Sequence, residues 1–187
     1  SHAGLADDFY FGKLPNELVK QGRNVVMVLM NHTGHSGIEL STKWIGSTVP
    51  RVILSGTLDI GGEITLHRQL KKEAERLRQF ARREPLGLVR RVLERATEEA
   101  LSGGAHTTLR MSRQIEALVM QLQPKLIVVT HEGHAWERVS FAAARRAQPS
   151  VHCIGYQHAA VFRLQHALRR KLANEYNPDN ILTAGFV

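Results

Sequence analysis

The chain reads as an α/β protein of the Rossmann-like kind: a parallel sheet with helices on both faces and a helical insertion. Three observations predict this. Short runs at 24–30, 49–54, 126–129 and 151–155 are predominantly apolar, as strands buried on both faces are. Helical periodicity separates the later runs. Each run also empties into small, polar or glycine-bearing residues, the composition of a βα loop near a ligand.

Taken in order, Leu14 to Gln21 reads as a short helix stopped by Gly22. Asn24 to Met30 is the first strand, and Asn31-His32-Thr33-Gly34-His35-Ser36-Gly37 is the loop after it. Val49 to Leu54 is the second strand, followed by Ser55-Gly56-Thr57 and a turn at Gly61-Gly62. Leu66, Leu70, Ala74, Leu77 and Ala81 recur at three- and four-residue steps, which is one face of a helix. Pro85 breaks it, because proline disfavours helical geometry in the residue before it. Val89, Val92, Leu93, Ala96 and Ala100 mark a second helix running up to Gly103-Gly104. Ile115, Leu118, Val119 and Leu122 mark a third, which ends before Pro124.

The most informative stretch follows. The strand Leu126-Ile127-Val128-Val129 opens into Thr130-His131-Glu132-Gly133-His134-Ala135-Trp136-Glu137-Arg138 and an alanine-rich helix. The next strand, Val151-His152-Cys153-Ile154-Gly155, ends in the loop Tyr156-Gln157-His158, and a helix and a last strand at Ile181 to Thr183 complete the order. Glu132, His134, Gln157 and His158 therefore fall where two neighbouring parallel strands end. In open α/β sheets that edge is where ligands bind. The sequence reads as one domain over 1–187. Since no helix follows the last strand to cover it, a cut at a domain boundary is expected.

Composition narrows the function classes. At 43% hydrophobic and 22% charged, the chain is ordinary globular material. No apolar run reaches the roughly 18 residues of a membrane span. Cys153 is the only cysteine, so it has no internal disulfide partner; a core role in a reducing cytoplasm is expected. A formal charge of +8 calls for an acidic or phosphorylated partner. The arginines and lysines of the middle helices form either a solvated polar face among interspersed glutamates or a basic surface for anionic lipid at the inner membrane face. Nucleic acid is disfavoured, because no recognition motif accompanies the charge and aromatics are too sparse for base stacking.

Among the candidate site residues, Glu132 serves as a general base if burial raises its pKa. The plainer reading is a carboxylate that favours the positive end of the following helix. Glu137 is placed to cap backbone N–H groups. Arg138 either grips an anionic ligand or pairs internally, and Trp136 reads as a packing residue. His131 and His134 crowd the same loop. They are three apart, not four, and precede the helix instead of lying on it, so the zinc-protease motif fails; ten histidines leave another metal site open, with close pairs only in loops 31–35 and 131–134. Gln157 and His158 follow the next strand; His158 either donates to a negative charge or satisfies a buried carbonyl. Arg163 and His166 read more plainly as helix-surface residues. Asn31 and Gly34 are substrate-binding candidates in the first loop. That loop lacks the dinucleotide fingerprint and no acidic residue ends the second strand, so no NAD cofactor is expected.

The segments Glu132-Gly133-His134-Ala135-Trp136-Glu137-Arg138, Gly155-Tyr156-Gln157-His158-Ala159 and Asn177-Pro178-Asp179-Asn180-Ile181-Leu182-Thr183-Ala184-Gly185 resemble bacterial surface-carbohydrate biosynthesis proteins, glycosyltransferases of the GT-B type. The opening Asp8-Phe9-Tyr10-Phe11-Gly12-Lys13-Leu14-Pro15 is similar to the start of such proteins. The resemblance implies the N-terminal, acceptor-side half of a two-domain enzyme, with a nucleotide-sugar held mostly by the other half. It implies Glu132 as the base that deprotonates the acceptor hydroxyl and His158 facing the donor. His134 and Arg138 would orient a glycan or lipid-linked acceptor, with no catalytic metal. Two other readings stand beside it: a self-contained sugar-nucleotide hydrolase or epimerase, and a non-enzymatic module that binds through its basic helices.

Overall fold

The computed structural model describes residues 8, 10–31, 35–42, 44–158 and 173–183. The chain divides into two compact units, Ser1–Gly56 and Thr57–Val187. Both are α/β, and every described strand pairs in parallel.

The first unit holds α1 (Leu14–Lys20), β1 (Met27–Met30), α2 (Gly37–Thr42) and β2 (Arg51–Leu54). Strands β1 and β2 form a two-stranded sheet in the register Met27↔Arg51 through Met30↔Leu54. Helix α2 is absent from the sequence expectation, which left 31–37 as loop. Its signal was present: Ser36 and Glu39 form a capping box. Ser36 N–H donates to Glu39 Oε2 at 2.6 Å, and Glu39 N–H donates back to Ser36 Oγ at 3.2 Å. Six residues are too few for helical periodicity to show, so only the cap betrays it.

The second unit runs α3 (Ile60–Arg83), α4 (Leu88–Ala100), α5 (Gly103–Leu122), β3 (Leu126–Thr130), α6 (Ala135–Ala147), β4 (His152–Gln157), a 3-10 turn at Asn174–Tyr176, and β5 (Asn180–Thr183). Asp59 caps α3 by accepting from Gly62 N–H at 2.6 Å. Leu66, Leu70, Ala74 and Ala81 are the buried face expected from the periodicity. Helix α3 ends two residues before Pro85, in line with the expected break. The start of α5 differs from expectation. Gly103-Gly104 does not end the preceding helix; it forms the first turn of the next one. Ser102 Oγ accepts from Ala105 N–H at 3.1 Å, and this cap outweighs the low helix propensity of two glycines.

The sheet of this unit has the order β3-β4-β5, all parallel. The described strands thus belong to two small sheets, where the sequence reading assembled one. Helix α6 packs on α5 and on β3. The core gathers Val119, Phe141, Ala144, Val151 and Cys153, with Ile115, Ile127, Val129 and Ala147 against it. Consecutive Ala142, Ala143 and Ala144 are fully buried, so α6 approaches its neighbours closely where longer side chains would hold it away. Cys153 takes the buried core role expected of it.

Candidate active site

The site grows from the end of β3. His131 N–H donates to Tyr156 O at 2.8 Å, extending the ladder by one residue. The chain then turns through Glu132-Gly133-His134. Gly133 has φ +93°, a backbone region that side chains disfavour, which is why glycine stands there. The turn brings three successive N–H groups onto one carboxylate. Glu137 accepts from Glu132 N–H at 2.8 and 3.0 Å, from Gly133 N–H at 2.7 Å and from His134 N–H at 2.8 Å. Glu137 sits in the first turn of α6 and is fully buried. It thus performs the capping role its position predicted, and it fixes the shape of the loop as well as the start of the helix. Burial pushes its carboxyl upward, while the three donors and the nearby His134 pull it back.

With the backbone held, the Glu132 side chain projects outward and meets two imidazoles. Its Oε1 lies 3.0 Å from His158 Nε2, and its Oε2 lies 3.5 Å from His134 Nε2. Exposure grades across the trio: the side chains of His158, Glu132 and His134 are 18%, 30% and 59% exposed. Among the described residues the carboxylate is therefore more open on the His134 side and more enclosed on the His158 side. Tyr156 and His158 lie two residues apart, and their rings stack at 6.3 Å. His134 stacks on Trp136 at 6.5 Å. Pairing of β3 with β4, Thr130 opposite Tyr156, places Glu132 and His158 just beyond the carboxyl ends of neighbouring strands.

The remaining candidates fall elsewhere. His131 is fully buried beside Phe141, with ring centroids 6.0 Å apart. Neither of its ring nitrogens has a hydrogen-bond partner among the described residues, and Nδ1 stands 3.7 Å from Glu137 Oε2. Burial first, and the Arg138 charge second, lower its pKa to about 4, so it is neutral near pH 7. Its ring also explains Gly155: a Cβ there would lie 3.0 Å from His131 Cγ. Glycine within a strand often marks a close approach of this kind, and that was the signal available in the sequence. Gln157 belongs to β4 and not to the loop after it, and it is only 3% exposed. Arg138 is buried and donates to Asn177 Oδ1 at 2.8 Å, tying α6 to the segment before β5. Asn31 belongs to the first unit, where its amide donates to His35 O at 2.8 Å. Gly34, Arg163 and His166 lie outside the described residues.

The site so built holds a partly exposed carboxylate, an imidazole 3.0 Å from it on the more buried side and a second imidazole at its rim. These are the residue types that general acid–base chemistry uses. Among the described residues, no group of three or more His, Cys, Asp or Glu side chains is arranged to hold a metal ion, and no helix is long and apolar enough to cross a membrane. Comparison with protein-family models, with curated proteins and with solved structures finds no match.

Proposed function

We propose that the chain is the acceptor-side domain of a GT-B-type glycosyltransferase of bacterial surface polysaccharide biosynthesis. It transfers a sugar from an activated nucleotide donor to a glycan or lipid-linked acceptor. The observation that supports this reading is the Glu132–His158 pair, 3.0 Å apart at the carboxyl ends of two parallel strands. The resemblance of the flanking segments supplies the reaction class. In this reading Glu132 takes the proton of the acceptor hydroxyl as its oxygen forms the new glycosidic bond. The nucleotide leaves with the electron pair of the bond that breaks. His158 steadies the carboxylate and shares the proton it has gained, while His134 orients the acceptor at the rim. Arg138, buried against Asn177, acts by holding α6 in place, not by gripping the acceptor.

In the enzyme that carries the donor half, Glu132→Gln is expected to lower transfer by about 10²- to 10⁴-fold, the usual contribution of a positioned base, with an unchanged circular dichroism spectrum. Undiminished transfer removes Glu132 from the mechanism. A second reading rests on the fact that the pair is complete within the second unit: the same groups suit a self-contained sugar-nucleotide hydrolase or epimerase. Turnover of UDP-, GDP- or CMP-sugars by this chain alone favours that reading over the first.

A further inference from the structure

The turn between α3 and α4 has the sequence Arg82-Arg83-Glu84-Pro85-Leu86-Gly87-Leu88-Val89-Arg90-Arg91: a half-buried Glu84 and then an apolar tip, 85–89, bracketed by two pairs of arginines that leave the segment net positive. At a rise of 1.5 Å per residue, each pair lies within about 6 Å of the end of its helix. The four arginines therefore lie within one helical turn of the tip, a basic collar that flanks it along the chain. Leu86 and Leu88 are 88% and 70% exposed, and Val89 and Val92 continue the apolar surface along α4. Four exposed apolar side chains thus follow one another from the turn along one helix, beside the arginines, and adjoining apolar surface of this kind marks a contact surface. Arg82, Arg83 and Arg91 make no ion pair with a described residue, while Arg90 pairs with Glu94 at 2.9 Å. The groove behind the tip, lined in part by Arg78, Arg82, Arg90, Glu94 and Glu98, mixes both signs of charge. The positive excess belongs to the collar.

From this arrangement we infer that the α3–α4 tip docks on an anionic lipid surface. Leu86 and Leu88 enter the headgroup–acyl boundary, and the collar arginines reach lipid phosphates with their stems lying along the apolar layer. The charge pattern selects this occupant over two others. A second copy of the chain meeting tip to tip would set one arginine collar against another. A nucleic-acid duplex would satisfy the arginines but leave the leucines in water. The inference goes beyond the proposed reaction and does not depend on it.

The test is co-sedimentation of the whole chain with vesicles of phosphatidylcholine alone and of phosphatidylcholine mixed with phosphatidylglycerol. Binding is expected only to the mixed vesicles, and it should weaken as salt rises. Arg83→Gln with Arg91→Gln should lower partitioning roughly 30-fold, since each basic residue near an anionic surface contributes about fivefold. Leu86→Ser with Leu88→Ser should lower it by at least about tenfold. All four positions are solvent-facing, so circular dichroism should be unchanged. Depth is read with Leu86→Trp: the added indole emission should shift to the blue on mixed vesicles and be quenched by brominated lipid acyl chains. Equal binding to uncharged vesicles, indifference to these substitutions, or a self-association in sedimentation velocity that the leucine changes abolish would each overturn the inference.

Discussion

Two regions of the second unit use the same residue types to opposite ends. In the loop after β3, a single buried glutamate, Glu137, gathers three backbone N–H groups and shapes the site. On helices α3 and α4, glutamates pair with arginines one turn away, Arg76 with Glu73, Arg78 with Glu75 and Arg95 with both Glu98 and Glu99. Those helical pairs are exposed and shape little, because water screens them and long side chains resist being held. What separates a structural charge from a solvated one here is burial together with fixed donors, not chemical identity.

This contrast can be broken by experiment. The largest expected effect comes from Glu137→Ala, which leaves a buried clamp empty and strands three part-buried N–H groups at once. It should cost on the order of 3 kcal/mol of unfolding free energy in a denaturant titration, and it should loosen Glu132 from His158. A cost no greater than that of a surface substitution would show that the loop holds its shape without the clamp.

A comparable effect is expected from pH through His131. Its folded pKa, about 4, lies below its ordinary value of 6.5. The unfolded chain therefore binds the extra proton first as pH falls. The stability that His131 contributes is full above pH 6.5 and is lost progressively down to about pH 4, by about 3 kcal/mol in all. Glu137 acts with the opposite sign, because its raised carboxyl favours the folded state at pH values below its folded pKa. Comparing His131→Leu with the parent chain by chemical unfolding between pH 7 and pH 4 isolates the histidine: the variant should lose less stability over that window. Identical slopes would mean that His131 does not carry the acid sensitivity. The smallest effect is expected on the helices, where Arg95→Gln should change unfolding free energy by less than about 0.5 kcal/mol despite removing two ion pairs. A larger loss would narrow the contrast between the two regions.

Much of the second unit was legible from local signals. The buried face of α3, the break near Pro85, the strands around 126–130 and 152–157 and the capping role of Glu137 all follow from periodicity, proline geometry and spacing. The errors were local as well. Helix α2 was too short for its period to register, and Ser102 reassigned two glycines from the end of one helix to the start of the next. Gln157 was read as loop because polar residues were taken to end the strand at Gly155. The pairing of β4 with β5, Gln157 opposite Thr183, carries the strand two residues further. Hydrogen bonding to a distant segment is not visible in a run of side-chain types.

The candidate site shows the same division. Sequence alone determined that a carboxylate and several imidazoles gather at the ends of two neighbouring strands, since strand–loop order and chain direction are local properties. Only the tertiary structure decided which of them face out. His131 and Glu137 went into the core, and Glu132, His134 and His158 came together at the edge. The physical reason is that a loop's side-chain directions depend on where its N–H groups find acceptors. They also depend on which strand glycine leaves room for a ring, and both partners arrive from elsewhere in the fold.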